Sequence, residues 1–396
     1  MEEVVIAGVG MIPFRKPGES ENYDVMGAQA VRNALAHAGI AYSQVEQAYA
    51  SYVFGDSCSG QAALYHVGIT GIPVVNVNNM CGSGSTAFAL ATQAVRSGAV
   101  ECALAVGFEQ MVPGAINTLF PDRPCPQGRH KDLVARIMNL TEEEKAVPDA
   151  LQLFGCQMQL LRDNYGVTDR AFARVAVKAR RHARNSPFAI FRNPLTEEDV
   201  FASPRFFRGL HKLHACPPSC GAACVIVCSA AFAKKLGIRD DVRLAGQGWL
   251  SDKAELLAGN DPLDITFIGL TREAARRAYE QAGIGPEDVD VIELHDCFAS
   301  NEIITYYGLG LCGLDGMEEF VMEDRNTYGG KVVVNPSGGL LSKGHPLGAT
   351  GLAQISELTW QLRGEAEQRQ VDGARIAVQH NVGLGTAAFV NVLKRI

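Results

Sequence analysis

The chain has 396 residues, 47% apolar and 20% charged. That is enough apolar surface for a large core, and it excludes global disorder. Lys and Arg total 36 against 43 Asp and Glu, a net charge of −7 with no long basic tract, which argues against nucleic acid as the main partner. At roughly 100–200 residues per domain the length predicts two or three folding units.

The N-terminus opens directly into a strand pattern at residues 4–7. It has neither the basic n-region of a secretory signal nor the Arg-rich face of a transit peptide. A helix over 24–38, strands at 45–53 and 74–78, a helix over 85–96 and a strand at 101–106 follow. This is the α/β pattern, in which crossover helices cover a mostly parallel sheet. From 113 to 209 the periodicity is poorer, with turns at Pro121, Pro124 and Pro126 and helical runs over 151–165 and 169–185. This stretch reads as an inserted loop or lid domain. Residues 178–212 within it carry eight Lys or Arg against three Asp or Glu, either a solvated helix face or a patch for a polyanion such as a nucleotide phosphate. The apolar run 221–233 is too short for a membrane span of about 20 residues. The α/β pattern resumes with strands at 242–247, 289–294 and 375–379 and helices over 271–282 and 350–362.

Residues 30–54 match residues 274–298 at a constant offset, with Ala30, Arg32, Ala34, Ala38, Gly39, Ile40, Val45 and Phe54 all recurring. Cys81-Gly-Ser-Gly-Ser-Thr and His345-Pro-Leu-Gly-Ala-Thr each precede a helix and then a strand. Two matches in the same order predict a duplicated α/β unit with one sheet per half. The expected division is an N-terminal half, 1–112, completed by 210–238, a loop domain, 113–209, and a C-terminal half, 239–396.

Cys81 falls at a strand-to-helix junction, where Gly82 and Gly84 permit a tight turn. Backbone N–H groups and the helix dipole there lower a thiol pKa toward neutrality. The same residues satisfy G-x-G-x-x-A, the dinucleotide-binding pattern, but not on the first strand of their unit. His345 is placed at the start of the repeated helix, with Pro346 suited to its first turn. A cysteine within reach of a histidine is an activated-nucleophile pair. The strand ending in His295-Asp296-Cys297-Phe298 gathers polar and thiol groups where open α/β sheets put their chemistry. The turn 380–385, from His380 through Asn381 and Gly383 to Gly385, could offer backbone N–H groups to an oxyanion. Cys216, Cys220, Cys224 and Cys228 recur every fourth residue, but Pro217-Pro218 breaks any aligning helix. They read as a buried strand, and no metal site is expected. The eleven cysteines lack disulfide-scaffold density, so a reducing compartment is expected. The forty-one glycines are either flexible filler or turns at a site.

Together YVFGDS (52–57), GIPVVNVNN-x-C (71–81), VIELHDCF (291–298), NTYGGK (326–331), NPSGGLLSKGHPLGATGLAQ (335–354) and QHNVGLG (379–385) carry a resemblance. The sequence resembles the thiolases, specifically the sterol carrier protein 2 type. The resemblance implies a thiolase fold, duplicated βα halves in an αβαβα layering with an inserted loop domain. It implies Cys81 as nucleophile, His345 as its base and Cys297 as the second acid and base. The C-x-G cysteine of most thiolases is missing, since no cysteine follows Cys312. His295 is implied to help hold the first oxyanion, and Cys81 N–H with a donor from Asn381–Gly383 the second. The implied reaction is thiolytic cleavage of a 3-ketoacyl-CoA by CoA to acetyl-CoA or propionyl-CoA and a shortened acyl-CoA. Coenzyme A is then a substrate, no cofactor is tightly bound, and a homodimer or dimer of dimers is implied, pairing through strand 74–79. Retro-aldol cleavage on the same fold, a non-catalytic acyl-CoA or lipid-binding protein, and an NAD(P)-dependent dehydrogenase are the alternatives. The terminus Lys394-Arg395-Ile396 lacks an S-K-L-like peroxisomal address, so a cytoplasmic setting is expected, or a peroxisomal one reached by other means.

Overall fold

The computed structural model describes residues 2–114, 120, 122–384 and 387–396; Pro121 and Gly385 of the sequence reading lie outside them. Strand β1 (Val4–Met11) is buried along its whole length, which is why it reads as a continuous apolar run rather than an alternating one. Helix α1 (Tyr23–Ala38) packs across it. A Cβ on Gly10 would lie 2.4 Å from the Ala30 carbonyl oxygen, so glycine permits this close approach. Strands β2 (Gln47–Ser51) and β3 (Val74–Val77), helix α2 (Ser83–Arg96) and strand β4 (Cys102–Gln110) follow. The chain then leaves the sheet for residues 111–219, which contribute helices α3 (Asp149–Tyr165) and α4 (Asp169–Ala183). It returns as β5 (Cys220–Ser229), also wholly buried.

The second half runs β6 (Val242–Ser251), α5 (Ile268–Ala282), β7 (Val291–Glu293), α6 (Ala299–Gly308), β8 (Val333–Val334), α7 (Thr350–Arg363), β9 (Ile376–Gly383) and β10 (Ala387–Arg395). It repeats the first half down to the glycine contacts. A Cβ on Gly248 of β6 would lie 2.0 Å from the carbonyl oxygen of Ala274, the residue that matches Ala30 in the repeat.

Strand order across the sheet is β8-β7-β9-β10-β6-β1-β5-β4-β2-β3. Read outward from the centre, each half has the same order and the same directions. The expected arrangement of one separate, mostly parallel sheet per half needs two corrections. The two five-stranded halves join edge to edge where Val5 faces Arg243. Each half is mixed, because β5 and β10 run antiparallel to both neighbours. The reason is connectivity: β9 turns straight back into β10, and β4 returns as β5 through the insertion. Parallel pairing is confined to β4-β2-β3 and β9-β7-β8, where helices make the crossovers.

Alternate residues of β1 feed two cores. Val5 and Ala7 join α1 on the outer face, while Val4 and Ile6 join a central core containing α2 and α7. Outside the second half of the sheet, α5 and α6 share a third core with α3 and α4. Helix α7 is buried on every side apart from Trp360. This gives the αβαβα layering and brings the N-termini of α2 and α7 together at the centre.

Within the basic stretch 178–212, Lys178 is buried against Glu302, Arg208 pairs with Glu144, and Arg181 pairs at the surface with Asp324. Among the described residues no helix is long and apolar enough to cross a membrane.

Candidate active site

Cys81 sits between β3 and α2, one residue before the Gly82 N-cap. The preceding Met80 is in the left-handed region (φ 51°), a strain of about 1–3 kcal/mol for a residue with a side chain. Hydrogen bonds hold the turn: Gly82 N–H donates to Asn79 O (2.9 Å), Ser83 N–H to Met80 O (3.0 Å) and Asn79 N–H to Ser83 Oγ (2.8 Å). Around the thiol, Val53, Met111 and Leu347 form an apolar collar with Phe54 and Met80.

The structure brings Cys81, His295 and His345 together. One ligand atom of each, the thiol sulfur and a ring nitrogen from each histidine, lie within 4.8 Å of one another, and all three residues are buried. His345 does not stand at the start of its helix as the sequence pattern predicts, because α7 begins only at Thr350. Its ring instead reaches forward to that first helical residue, with Nδ1 2.7 Å from Thr350 Oγ1. The Thr350 hydroxyl donates to Pro346 O at 2.9 Å and therefore accepts from Nδ1–H. This tautomer leaves Nε2 as a lone pair, and Nε2 is buried with no other partner.

His295 is fixed in the opposite tautomer by a chain of amides running across three strands. Gln247 on β6, Asn391 on β10 and Gln379 on β9 lie directly opposite one another in register. Gln247 Nε2 donates to Asn391 Oδ1 (2.7 Å), and Asn391 Nδ2 donates to Gln379 Oε1 (2.5 Å). Gln379 Nε2 donates to Ser85 Oγ (2.9 Å), and Ser85 donates to Asn381 Oδ1 (2.9 Å). Asn381 Nδ2 is then left to donate to His295 Nδ1 at 2.8 Å. The proton of His295 therefore resides on Nε2, making that atom a donor. Asn381, expected among the oxyanion and substrate-binding residues, has both ends of its amide engaged by Ser85 and His295.

Cys297 lies in the bend between β7 and α6, buried beside Cys81 and a third thiol, Cys216. Gly383 closes β9, where a Cβ would meet Asn79 O at 2.3 Å and the Gly82 nitrogen at 3.4 Å. The backbone N–H that favours the Cys81 thiolate from across the site is that of Leu384, one residue beyond the predicted segment. Behind this turn is a mostly apolar cavity of about 40 Å³, lined by Leu153, Phe154, Ile268, Leu270 and Leu384 among others.

The electrostatics overturn one expectation. Burial pushes the Cys81 thiol up to about 12, outweighing the Leu384 N–H and its own N–H, which favour the thiolate. Burial likewise pushes His345 down to about 3. The pair rests as neutral thiol and neutral imidazole, because neither charge alone is solvated. Cys297 is also pushed well up, first by burial and then by the Cys216 and Cys81 thiols. Glu109 is a further missed residue. Its carboxylate accepts from Val53 N (3.1 Å), Phe54 N (2.9 Å) and Gly348 N (2.9 Å), tying together loops of both halves. Burial raises it to about 7.

The G-x-G-x-x-A turn holds no nucleotide crevice. A Cβ on Gly84 would meet Gly348 O at 2.9 Å and Gly351 N at 3.1 Å, so backbone of α7 fills the space a pyrophosphate would need.

Residues 4–199 match the family model described as thiolase, N-terminal domain, and residues 258–395 match thiolase C-terminal domain-like. The chain belongs to the thiolase family. It is 45% identical to human sterol carrier protein 2, across all of this chain and 72% of that one. To the benzoylsuccinyl-CoA thiolase subunit BbsB of Thauera aromatica it is 34% identical, over 98% of this chain and 96% of the subunit. Among solved structures, the Ltp2-ChsH2(DUF35) aldolase superposes with a TM-score of 0.82 at 22% identity, covering all of this chain and 98% of the other. At that identity the likeness concerns the fold. The thiolase assignment and its sterol carrier protein 2 type agree with the resemblance read from the motifs.

Proposed function

We propose that this thiolase cleaves 3-ketoacyl-CoA with CoA, releasing acetyl-CoA or propionyl-CoA and a shortened acyl-CoA. The observation that carries this reading is the His345 ring, held through Nδ1 by Thr350 with Nε2 unpartnered, in a cluster that puts a ring nitrogen within 4.8 Å of the Cys81 sulfur. That is a base aimed at a nucleophile.

With a neutral resting pair, the Cys81 proton passes to His345 as sulfur attacks the 3-keto carbon. His295 Nε2–H is positioned as a donor to the developing oxyanion, and losing such a donor typically costs about 10²–10³ in rate. Carbon–carbon cleavage leaves an acyl group on Cys81 and an enolate of the departing thioester. Cys297 protonates that enolate, and its thiolate then takes the proton of incoming CoA. The CoA sulfur attacks the acyl-Cys81 carbonyl, the Cys81 thiolate leaves and recovers its proton from His345, and the shortened acyl-CoA is released. In this second step the Cys81 and Leu384 N–H groups serve the tetrahedral oxyanion. No metal or tightly bound cofactor takes part in any of these steps. Strand β3 pairs only with β2 among the described residues and leaves Val75 exposed. An open edge of this kind supports a homodimer joined there.

The test is to incubate the protein with a 3-ketoacyl-CoA and follow both the CoA products and the mass of the Cys81 peptide. Acetyl-CoA or propionyl-CoA together with an acyl adduct on Cys81 is the expected result. Cleavage of the matching 3-hydroxyacyl-CoA to an aldehyde or ketone with no adduct on Cys81 would favour the retro-aldol reading, and no cleavage products from the 3-ketoacyl-CoA would sink the thiolytic one.

A further inference from the structure

Cys216 has no part in the chemistry above, yet it stands directly across a short antiparallel pairing from Cys297. Ala215 pairs with Phe298 as an antiparallel bridge, and Cys216 N–H donates to Cys297 O at 2.9 Å. Stepping one residue along that register puts Cys216 opposite Cys297, with both side chains on the same face. Directly opposed residues of antiparallel strands have Cα atoms about 4.5–5.5 Å apart, within the range a disulfide spans. Burial pushes both thiols well above the ordinary thiol range, but residue Cys216 is partly exposed whereas Cys297 is only 5% exposed, so Cys216 is the one an oxidant reaches.

We propose that Cys216 and Cys297 form an oxidative modification site, closed by a peroxide and reopened by a dithiol, that withdraws the Cys297 sulfur from catalysis. Cys216 meets the oxidant first. Its sulfur attacks the peroxide, the O–O bond breaks, and the departing oxygen leaves with the thiol proton as water (or as an alcohol from an organic peroxide). The product is a sulfenic acid, in which sulfur has lost two electrons. Cys297 then attacks that sulfur. An S–S bond forms, the S–O bond breaks, and the hydroxyl leaves with the second thiol proton as water. An external dithiol reverses the step by exchange and takes up the disulfide itself. Disulfides of this kind in a reducing compartment are transient and redox-sensing.

The loss of turnover rests on the thiolytic reading of Cys297, whereas the cross-link does not. The experiment treats the full, substrate-free chain with hydrogen peroxide, blocks remaining thiols with N-ethylmaleimide and maps the peptides without reduction. The Cys216 and Cys297 peptides are expected joined, lighter by two hydrogens, with activity falling in step and returning on dithiothreitol. Cys216→Ser keeps the untreated activity and shows no dithiothreitol-reversible loss. Both cysteines recovered as alkylated thiols, a disulfide to any other partner, or an unchanged reversible loss in Cys216→Ser would each overturn the proposal. Should the variant fail to fold, the wild-type map alone still decides. An untreated protein without thiolytic activity would count against the function reading and leave the cross-link to be read from the map.

Discussion

The two duplicated halves present matching turns to the same central space and use them differently. In the first half β3 passes to α2 through five residues, 78–82, in a strained, hydrogen-bonded turn, and the cysteine stands almost at the helix N-terminus. In the second half the path from β8 to α7 is far longer, residues 335–349, with an irregular helical turn over Gly339–Lys343. That extra length carries His345 back over the helix end so that its ring faces the other half's thiol. The asymmetry extends further. The first half supplies Cys81, the proposed nucleophile, while His295, Cys297, His345 and the Leu384 N–H all come from the second. Duplication thus builds two facing loops, and in the proposed mechanism departure from symmetry makes one electrophile-seeking and the other proton-handling.

If that division of labour is correct, removing the nucleophile is the largest expected effect. Cys81→Ala should lose turnover by about 10⁴-fold or more, with no acyl adduct by mass spectrometry and CoA binding retained. A variant that still turns over at wild-type rate breaks the comparison outright. On the opposite turn, His345→Ala should lower kcat by roughly 10²–10⁴, measured under saturating substrate. Next comes the tautomer of His295. Asn381→Leu removes the donor to Nδ1, so kcat should fall by less than the roughly 10²–10³ expected for His295→Ala, with KM little changed. Equal losses in the two variants would show that Asn381 acts by more than orienting that ring.

The smallest effect concerns Glu109, which holds the two turns at their spacing. Its folded-state pKa, raised to about 7, lies above the ordinary carboxyl value near 4.3. The stability attached to its protonated form is therefore complete below about pH 4 and is lost as pH rises through 7. Glu109→Gln does not titrate. The melting temperature of the wild type relative to this variant should fall by a few degrees, roughly, between pH 5 and 8. A constant difference across that range would mean Glu109 is ionised throughout.

Much of this was legible in the chain. The offset repeat predicted the duplication, and the motif residues Cys81, His295, Cys297 and His345 do converge. What escaped was whatever depends on contacts between distant segments. Thr350, the Leu384 N–H and the Glu109 bridge are visible only once α2 and α7 meet end to end. The amide chain from Gln247 to His295 had one readable signal, Gln379 and Asn381 two apart on a strand, but its direction needed the register of β6 and β10. The thiol pKa was misjudged because local helix-terminus effects favour the thiolate, whereas the apolar collar around Cys81 comes from four separate stretches of chain. Gly84 looked like a ligand-facing turn and is a contact with the α7 backbone. The same holds for much of the glycine excess, which lets helices sit directly on strands.

The placement of the insertion bears on how the molecule assembles. β9 and β10 are joined by residues 384–386, whereas their counterparts β4 and β5 are joined by residues 111–219. Closing the longer connection carries about 3 kcal/mol more entropic penalty by the logarithmic loop rule. The C-terminal hairpin can therefore form as a local event, while the equivalent pairing in the N-terminal half must await a long-range encounter, the kind of contact that slows folding. Although the N-terminal half leaves the ribosome first, its sheet remains missing β5 until the whole lid has been made. The half that carries the nucleophile is, on this reasoning, the later of the two to close.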